Sequence, residues 1–148
     1  MPSACFVDTN ILLYAVDRNL SEKRTQARRC LDGLARRKRL VVNPQVLNEY
    51  AHNVIRKMPH VSREQLLSEL EAMREWCVAE LTPETAAQAV VISGRYGFSF
   101  YDSALLASAI TYGCSFFISE DMSHQQKVGA LQIVSPFQRE FAAVLGIQ

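Results

Sequence analysis

Ala4-Cys5-Phe6-Val7-Asp8, followed by Thr9-Asn10 and then by Ile11-Leu12-Leu13-Tyr14-Ala15, is the stretch that decides the fold. Its first part is short, apolar, aromatic and β-branched, and it stops at polar residues, as a buried strand does. The apolar residues that follow open a short helix over 11–16. A strand passing directly into a helix starts a βα unit, and the rest of the chain continues the alternation.

Ser21 is placed to cap a long helix over 22–38, with Ala27, Cys30, Leu31 and Leu34 on one face. Leu40-Val41-Val42 is a second strand, closed by Asn43-Pro44, and 45–57 is a helix carrying Val46, Leu47, Tyr50, Val54 and Ile55. Pro59 breaks that helix. Ser62-Arg63-Glu64-Gln65 fits a capping box opening a helix that runs to about Trp76. Residues 77–81 read as a strand. Thr82-Pro83-Glu84 starts a helix that ends at Tyr96-Gly97, where glycine suits a left-handed cap. A helix over 101–112, strands over 115–119 and 132–134, and a helix over 136–145 complete the pattern. It predicts an α/β fold, a three-layer α/β/α sandwich around a mainly parallel central sheet. In such sheets the functional crevice lies beyond the carboxyl ends of the strands. No repeat, low-complexity tract or linker interrupts the 148 residues, so 1–148 is expected to form a single domain.

The composition is that of an ordinary globular protein, with 49% hydrophobic and 21% charged residues. No apolar stretch reaches the roughly 18 residues a membrane span needs, and no secretory leader pattern is visible, so a cytoplasmic protein without membrane contact is expected. Cys5, Cys30, Cys77 and Cys114 are widely spaced without a C-x-x-C pair, and reduced thiols are expected. A net charge of +1 argues against bulk attraction to nucleic acid. The charge is uneven, however: residues 18–39 hold nine cations against Glu22 and Asp32, a surplus of seven. Such a segment is either a solvated helix face or a surface for phosphates or an acidic partner.

Four of the fifteen acids sit in inconvenient company. Asp8 closes an apolar run. Asp102 follows Phe98-Ser99-Phe100-Tyr101. Asp121 ends Phe116-Phe117-Ile118-Ser119-Glu120, and Glu49 lies inside Val46-Leu47-Asn48-Glu49-Tyr50-Ala51. Each has a bland explanation: a helix cap for Asp8 or Asp102, a turn for Asp121, a half-exposed helix position for Glu49. Brought together, they form a hard oxygen pocket suited to Mg²⁺ or Mn²⁺. Thr9 and Ser119 are placed to orient those carboxylates through their hydroxyls. Asn10 reads as the cap of the first helix, Glu120 as pointing away from the pocket, and His124 as an exposed loop histidine. No Ser/His/Asp arrangement or glycine-rich phosphate loop competes with this reading.

Phe6-Val7-Asp8-Thr9-Asn10-Ile11-Leu12-Leu13-Tyr14-Ala15 resembles the opening motif of PIN-domain ribonucleases. Asn48-Glu49-Tyr50, Phe98-Ser99-Phe100-Tyr101-Asp102-Ser103-Ala104-Leu105-Leu106-Ala107 and Ile118-Ser119-Glu120-Asp121-Met122 resemble the second, third and fourth motifs, in order. Length and the lack of extra domains are most similar to the VapC-type toxins of bacterial toxin–antitoxin pairs. The resemblance implies a metal-dependent endoribonuclease. Asp8, Asp102 and Asp121 would bind Mg²⁺ or Mn²⁺, and Glu49 would complete the pocket directly or through water. It implies an RNA substrate, a homodimer, and a small antitoxin lying along the helices at 45–57 and 62–76 and bringing an Arg or Lys to the acids. The resemblance to these toxins implies a His-Gly step where this chain reads His124-Gln125-Gln126-Lys127, which singles out that loop. The competing functions are a PIN-like protein-binding module, a metal-dependent DNA nuclease and a phosphatase. The last is disfavoured because Asn10 stands where aspartyl-nucleophile phosphatases carry a second Asp.

Overall fold

A computed structural model describes residues 3–147. β1 (Cys5–Val7), β2 (Leu40–Val41), β3 (Phe116–Ile118), β4 (Lys127–Val128) and β5 (Leu131–Val134) form one sheet in the order β2-β1-β3-β5-β4. The first four in that order run parallel, and β4 closes the edge antiparallel to β5. β1 is buried throughout, and Phe6 stacks on Phe117 of β3 at 5.4 Å between ring centroids. Continuous apolar strands of this kind belong in a sheet with both faces covered. The covering helices are α1 (Thr9–Tyr14), α2 (Ser21–Arg36), α3 (Pro44–Lys57), α4 (Arg63–Met73), α5 (Pro83–Tyr96), α6 (Phe100–Tyr112) and α7 (Phe141–Leu145). α1 packs on α2 and α3, α3 on α4, and α5 on α6.

The chain leaves β1 towards β2 on one side and later returns to β3 on the other. At such a reversal the connections from the two strands run off in opposite directions and leave a crevice beyond the strands' carboxyl ends. The crevice edge is fixed by two backbone bonds, from Asp8 N to Ile118 O (2.9 Å) and from Ser119 N to Val134 O (3.0 Å). Asp8 and Ser119 are thus held side by side at the strand ends.

Most helix boundaries follow local chemistry. The Asn43, Ser62, Thr82 and Ser99 side chains cap α3, α4, α5 and α6, and Gly97 ends α5 at φ 79°. Several expectations need correction. Ser21 is not a cap: α2 starts after Leu20, without a side-chain bond. Asn10 is inside α1, because Asp8 caps it by accepting from Thr9 N. Residues 77–81 do not form a strand. Only Cys77 bridges to Val42, and Val78, Glu80 and Leu81 turn out to solvent before Pro83 opens the next helix. The helix expected over 136–145 is shortened to α7, because the Ser135 hydroxyl accepts from Phe137 N and holds a turn there. β4 was not expected at all.

The basic segment also differs from its sequence reading. Arg39 is buried rather than surface-lying. Its guanidinium donates to Ser3 O, Ser3 Oγ and Leu145 O. The four cysteines are free, and Cys5, Cys30 and Cys114 are core residues. Among the described residues no helix is long and apolar enough to cross a membrane.

Candidate active site

Asp8 is only 7% exposed, so its carboxylate depends on what the fold gives it. Oδ1 accepts from Thr9 N at 2.7 Å and Oδ2 from the Ser119 hydroxyl at 2.8 Å. Burial still pushes the Asp8 carboxyl up to about 7. The Ser119 bond draws it down, while the charges of Asp102 and Glu49 raise it further. Those two acids are therefore near enough to feel Asp8 from α6 and α3. Asp102 stands in the first turn of α6, where its own N–H is capped by Ser99 Oγ (3.2 Å).

Glu49 is half-buried one turn after Gln45 on α3. Its Oε1 accepts from Thr9 Oγ1 (3.2 Å) and from Gln45 Nε2 (3.3 Å). Burial raises its carboxyl, these two bonds lower it, and Asp102 raises it again. Gln45 also donates to Tyr101 O at 3.2 Å, tying α3 to the start of α6. An open cleft of about 350 Å³ lies there, lined by Gln45, Asn48, Glu49, Leu81 and Tyr101.

Asp121 is exposed and sits at the outer margin. Asn10 Nδ2 donates to its Oδ2 at 2.8 Å and reaches Ser119 Oγ at 3.4 Å. The helical position of Asn10 makes it a link between two strand-end loops. From the sequence, a contact of Asn10 with the site is only the lesser alternative to a helix cap, and the role of Gln45 is not read. The spacing of Gln45 and Glu49, one helical turn apart, was the available signal.

Glu120 turns away from Asp8. It accepts from Tyr14 and from Lys23 of α2, which also lies over the Tyr14 ring. His124 is not an exposed loop residue: its side chain is 16% exposed. Nδ1 accepts from Ser135 N (3.0 Å), which leaves the proton on Nε2, 3.2 Å from Glu140 Oε1. Gln125 occupies the left-handed region at φ 67°, at the position where the resemblance to VapC-type toxins implies glycine.

The ion pairs among the described residues join Lys23–Glu120, Arg74–Glu71 and His124–Glu140, so none neutralises Asp8, Glu49, Asp102 or Asp121. Asn10 Oδ1 and Ser103 Oγ are buried without hydrogen-bond partners. Among the described residues, no three His, Cys, Asp or Glu side chains are gathered tightly enough to hold a metal by themselves. A hard, uncompensated carboxylate set with few direct ligands fits a divalent ion that keeps several of its own waters, as Mg²⁺ does.

Comparison with curated proteins finds no match. Several solved structures share the fold. A toxin–antitoxin complex from Klebsiella pneumoniae superposes with a TM-score of 0.65 at 18% identity, covering 92% of this chain and 99% of that one. VapBC2 from Rickettsia felis, bound to a DNA fragment from its promoter, gives 0.61 at 16% identity, covering 89% and 98%. VapC20 from Mycobacterium tuberculosis, described as a sarcin-ricin loop cleaving toxin, gives 0.58 at 20% identity, covering 77% and 87%. The model of the PIN domain matches residues 5–130, a span that includes all four acids. By that match, the chain belongs to the PIN domain family.

Proposed function

We propose that the chain is a metal-dependent endoribonuclease, hydrolysing RNA phosphodiester bonds as the toxin of a toxin–antitoxin pair, with one nuclease domain over 1–148. The observation that carries this reading is Asp8, a buried carboxylate without a cationic partner at the β1–β3 crevice, with Asp102 and Glu49 near enough to raise its pKa further. A site of that kind is costly unless a cation is part of its working state.

In this reading Asp8, Asp102 and Asp121 hold Mg²⁺ or Mn²⁺, and Glu49 completes the pocket directly or through water. When bound, the ion supplies a lowered pKa for attacking water and charge stabilisation for the leaving oxygen. The protein's part is positioning. Ser119 keeps Asp8 Oδ2 oriented, Thr9 and Gln45 keep Glu49 Oε1 oriented, and Asn10 ties Asp121 to the same edge. No side-chain nucleophile is required.

RNA as substrate is supported by VapC20, whose described activity is cleavage of the sarcin-ricin loop. With RNA as substrate, the cytoplasm would be the place of action. A small antitoxin is supported by the Klebsiella and Rickettsia complexes. The antitoxin would lie along α3 and α4, where Ile55 (48%) and Leu67 (67%) are exposed, and would bring a basic side chain to the acids. A homodimer belongs to the same proposal.

The test is RNA cleavage by purified wild type and Asp8→Asn, with Mg²⁺, with Mn²⁺ and with EDTA. Cleavage that requires the metal and disappears in Asp8→Asn is expected. Equal activity in the variant would assign the cleavage to a contaminant. Absence of both cleavage and calorimetric metal binding would turn the reading to a protein-binding module.

A further inference from the structure

The active-site reading leaves the basic segment unused, and the fold gives that segment a shape. A groove of about 430 Å³ runs between α2 and the segment that follows β5. Arg29 and Arg36 stand on its α2 wall and Arg139 on the other, all three exposed. Gly33 forms part of the floor. Arg37 folds back along the helix, with Nη1 donating to Gly33 O at 2.9 Å. No acid lines the groove. Two acids neighbour lining residues in sequence: Glu140, which is engaged with His124, and the exposed Asp32 of α2, whose backbone carbonyl accepts from Arg36 Nε at 3.3 Å. The second wall, from Pro136 onward, lies outside the residues 5–130 that match the PIN domain.

From these observations we infer that the groove is a second RNA-binding site, which holds the sugar-phosphate backbone of the substrate away from the acids. This rests on the ribonuclease reading above. Arg29 and Arg36 are seven residues apart on one helix, about 10 Å along its axis. A single phosphate does not bridge that distance, whereas a polyanion does. Guanidinium groups suit phosphate oxygens because their donors form a planar fork.

RNA is favoured over an acidic protein by where the groove leads. Pro136 lines it, and the next residue, Phe137, packs edge-on against Tyr14 at 5.4 Å and under Lys23 Nζ at 5.2 Å. Tyr14 and Lys23 both bond Glu120, the neighbour of Asp121. Phe137, Tyr14, Lys23 and Glu120 therefore connect the groove's second wall to the loop that carries Asp121, and a strand leaving the groove along these residues runs towards the acids.

The test uses Asp8→Asn protein in EDTA, so that RNA is bound without being cut. Binding of a fluorescein-labelled single-stranded RNA is followed by anisotropy across a KCl series. Arg29→Gln/Arg36→Gln/Arg139→Gln is expected to flatten the slope of log Kobs against log[KCl] by about 2, three phosphate contacts at roughly 0.7 each. Arg56→Gln/Lys57→Gln/Arg63→Gln, which removes the same charge from α3 and α4, is expected to leave the slope nearly unchanged. Equal flattening in both triple variants, or none in the first, overturns the groove. Competition by polyglutamate as strong as by RNA of equal charge also overturns it, in favour of an acidic protein partner. Circular dichroism melts check that both triples are folded. Cleavage by the wild type with an unaltered slope in the groove triple would reject this inference alone. A flattened slope without any cleavage would reject the ribonuclease reading and leave the groove as an RNA-binding site without a substrate role.

Discussion

Replacing Asp8 by Asn should make the metal-free protein more stable at alkaline pH while abolishing its activity. The Asp8 carboxyl titrates near 7 in the fold against an ordinary value of 3.8. A gap of about three pKa units corresponds to about 4 kcal/mol. The sign follows from linkage. Because the folded pKa is raised, the protonated form's contribution is complete below about pH 4, is lost as pH rises towards 7, and stays lost above it. Asn imitates the protonated carboxyl at every pH. It meets Ser119 Oγ with an amide instead of an acceptor, a change costing about 1 kcal/mol. A net gain of about 3 kcal/mol is therefore expected at pH 8, shrinking almost to nothing at pH 4.5. Urea titrations in EDTA at the two pH values measure it. For a slope near 2 kcal/mol/M, the midpoint should move up by about 1.5 M at pH 8. Adding Mg²⁺ should then stabilise the wild type alone, by about 2.7 kcal/mol at a hundredfold excess over its Kd. A variant no more stable than wild type at pH 8, or a gain that is the same at both pH values, would refute the claim that Asp8 is held against its own desolvation.

Gln125→Gly should raise stability by about 1 kcal/mol, since glycine adopts φ 67° without the steric cost borne by other residues, and the melting temperature should rise by about 3 °C. Gln125→Ala serves as the control, and an equal rise in both variants would exclude backbone strain as the cause. Asn10→Ala removes the 2.8 Å bond to Asp121 and should lower kcat about tenfold, with a near-normal melting temperature and weaker metal binding by calorimetry. Wild-type cleavage by Asn10→Ala would take Asn10 out of the site.

What could be read from the sequence was what short-range chemistry determines. Strand β1 ends in a carboxylate because an apolar run stops there, and the caps at Ser62 and Thr82 act on residues three positions away. The four acids stood out because each interrupts apolar company. The misreadings involve partners distant in sequence. Arg39 looks like the last of a run of surface cations. It is buried because Ser3 and Leu145, 36 and 106 residues away, supply its acceptors. β4 is two residues long, too short for any periodicity, and exists through its pairing with β5. Asn10 has the composition of a cap, but Asp8 reaches the Thr9 N–H first, and the amide becomes free to cross to Asp121. The loop after Asp121 combines both cases. The resemblance to VapC-type toxins implies glycine after His124, and the backbone there is left-handed, yet glutamine occupies it. Gln125 N donates to Ile133 O, Ile133 N donates to Gln126 O, and Ser135 N donates to the His124 ring. These bonds come from the backbone and from a neighbouring residue, so the loop holds its course whatever side chain stands at 125, and the cost of that side chain is local.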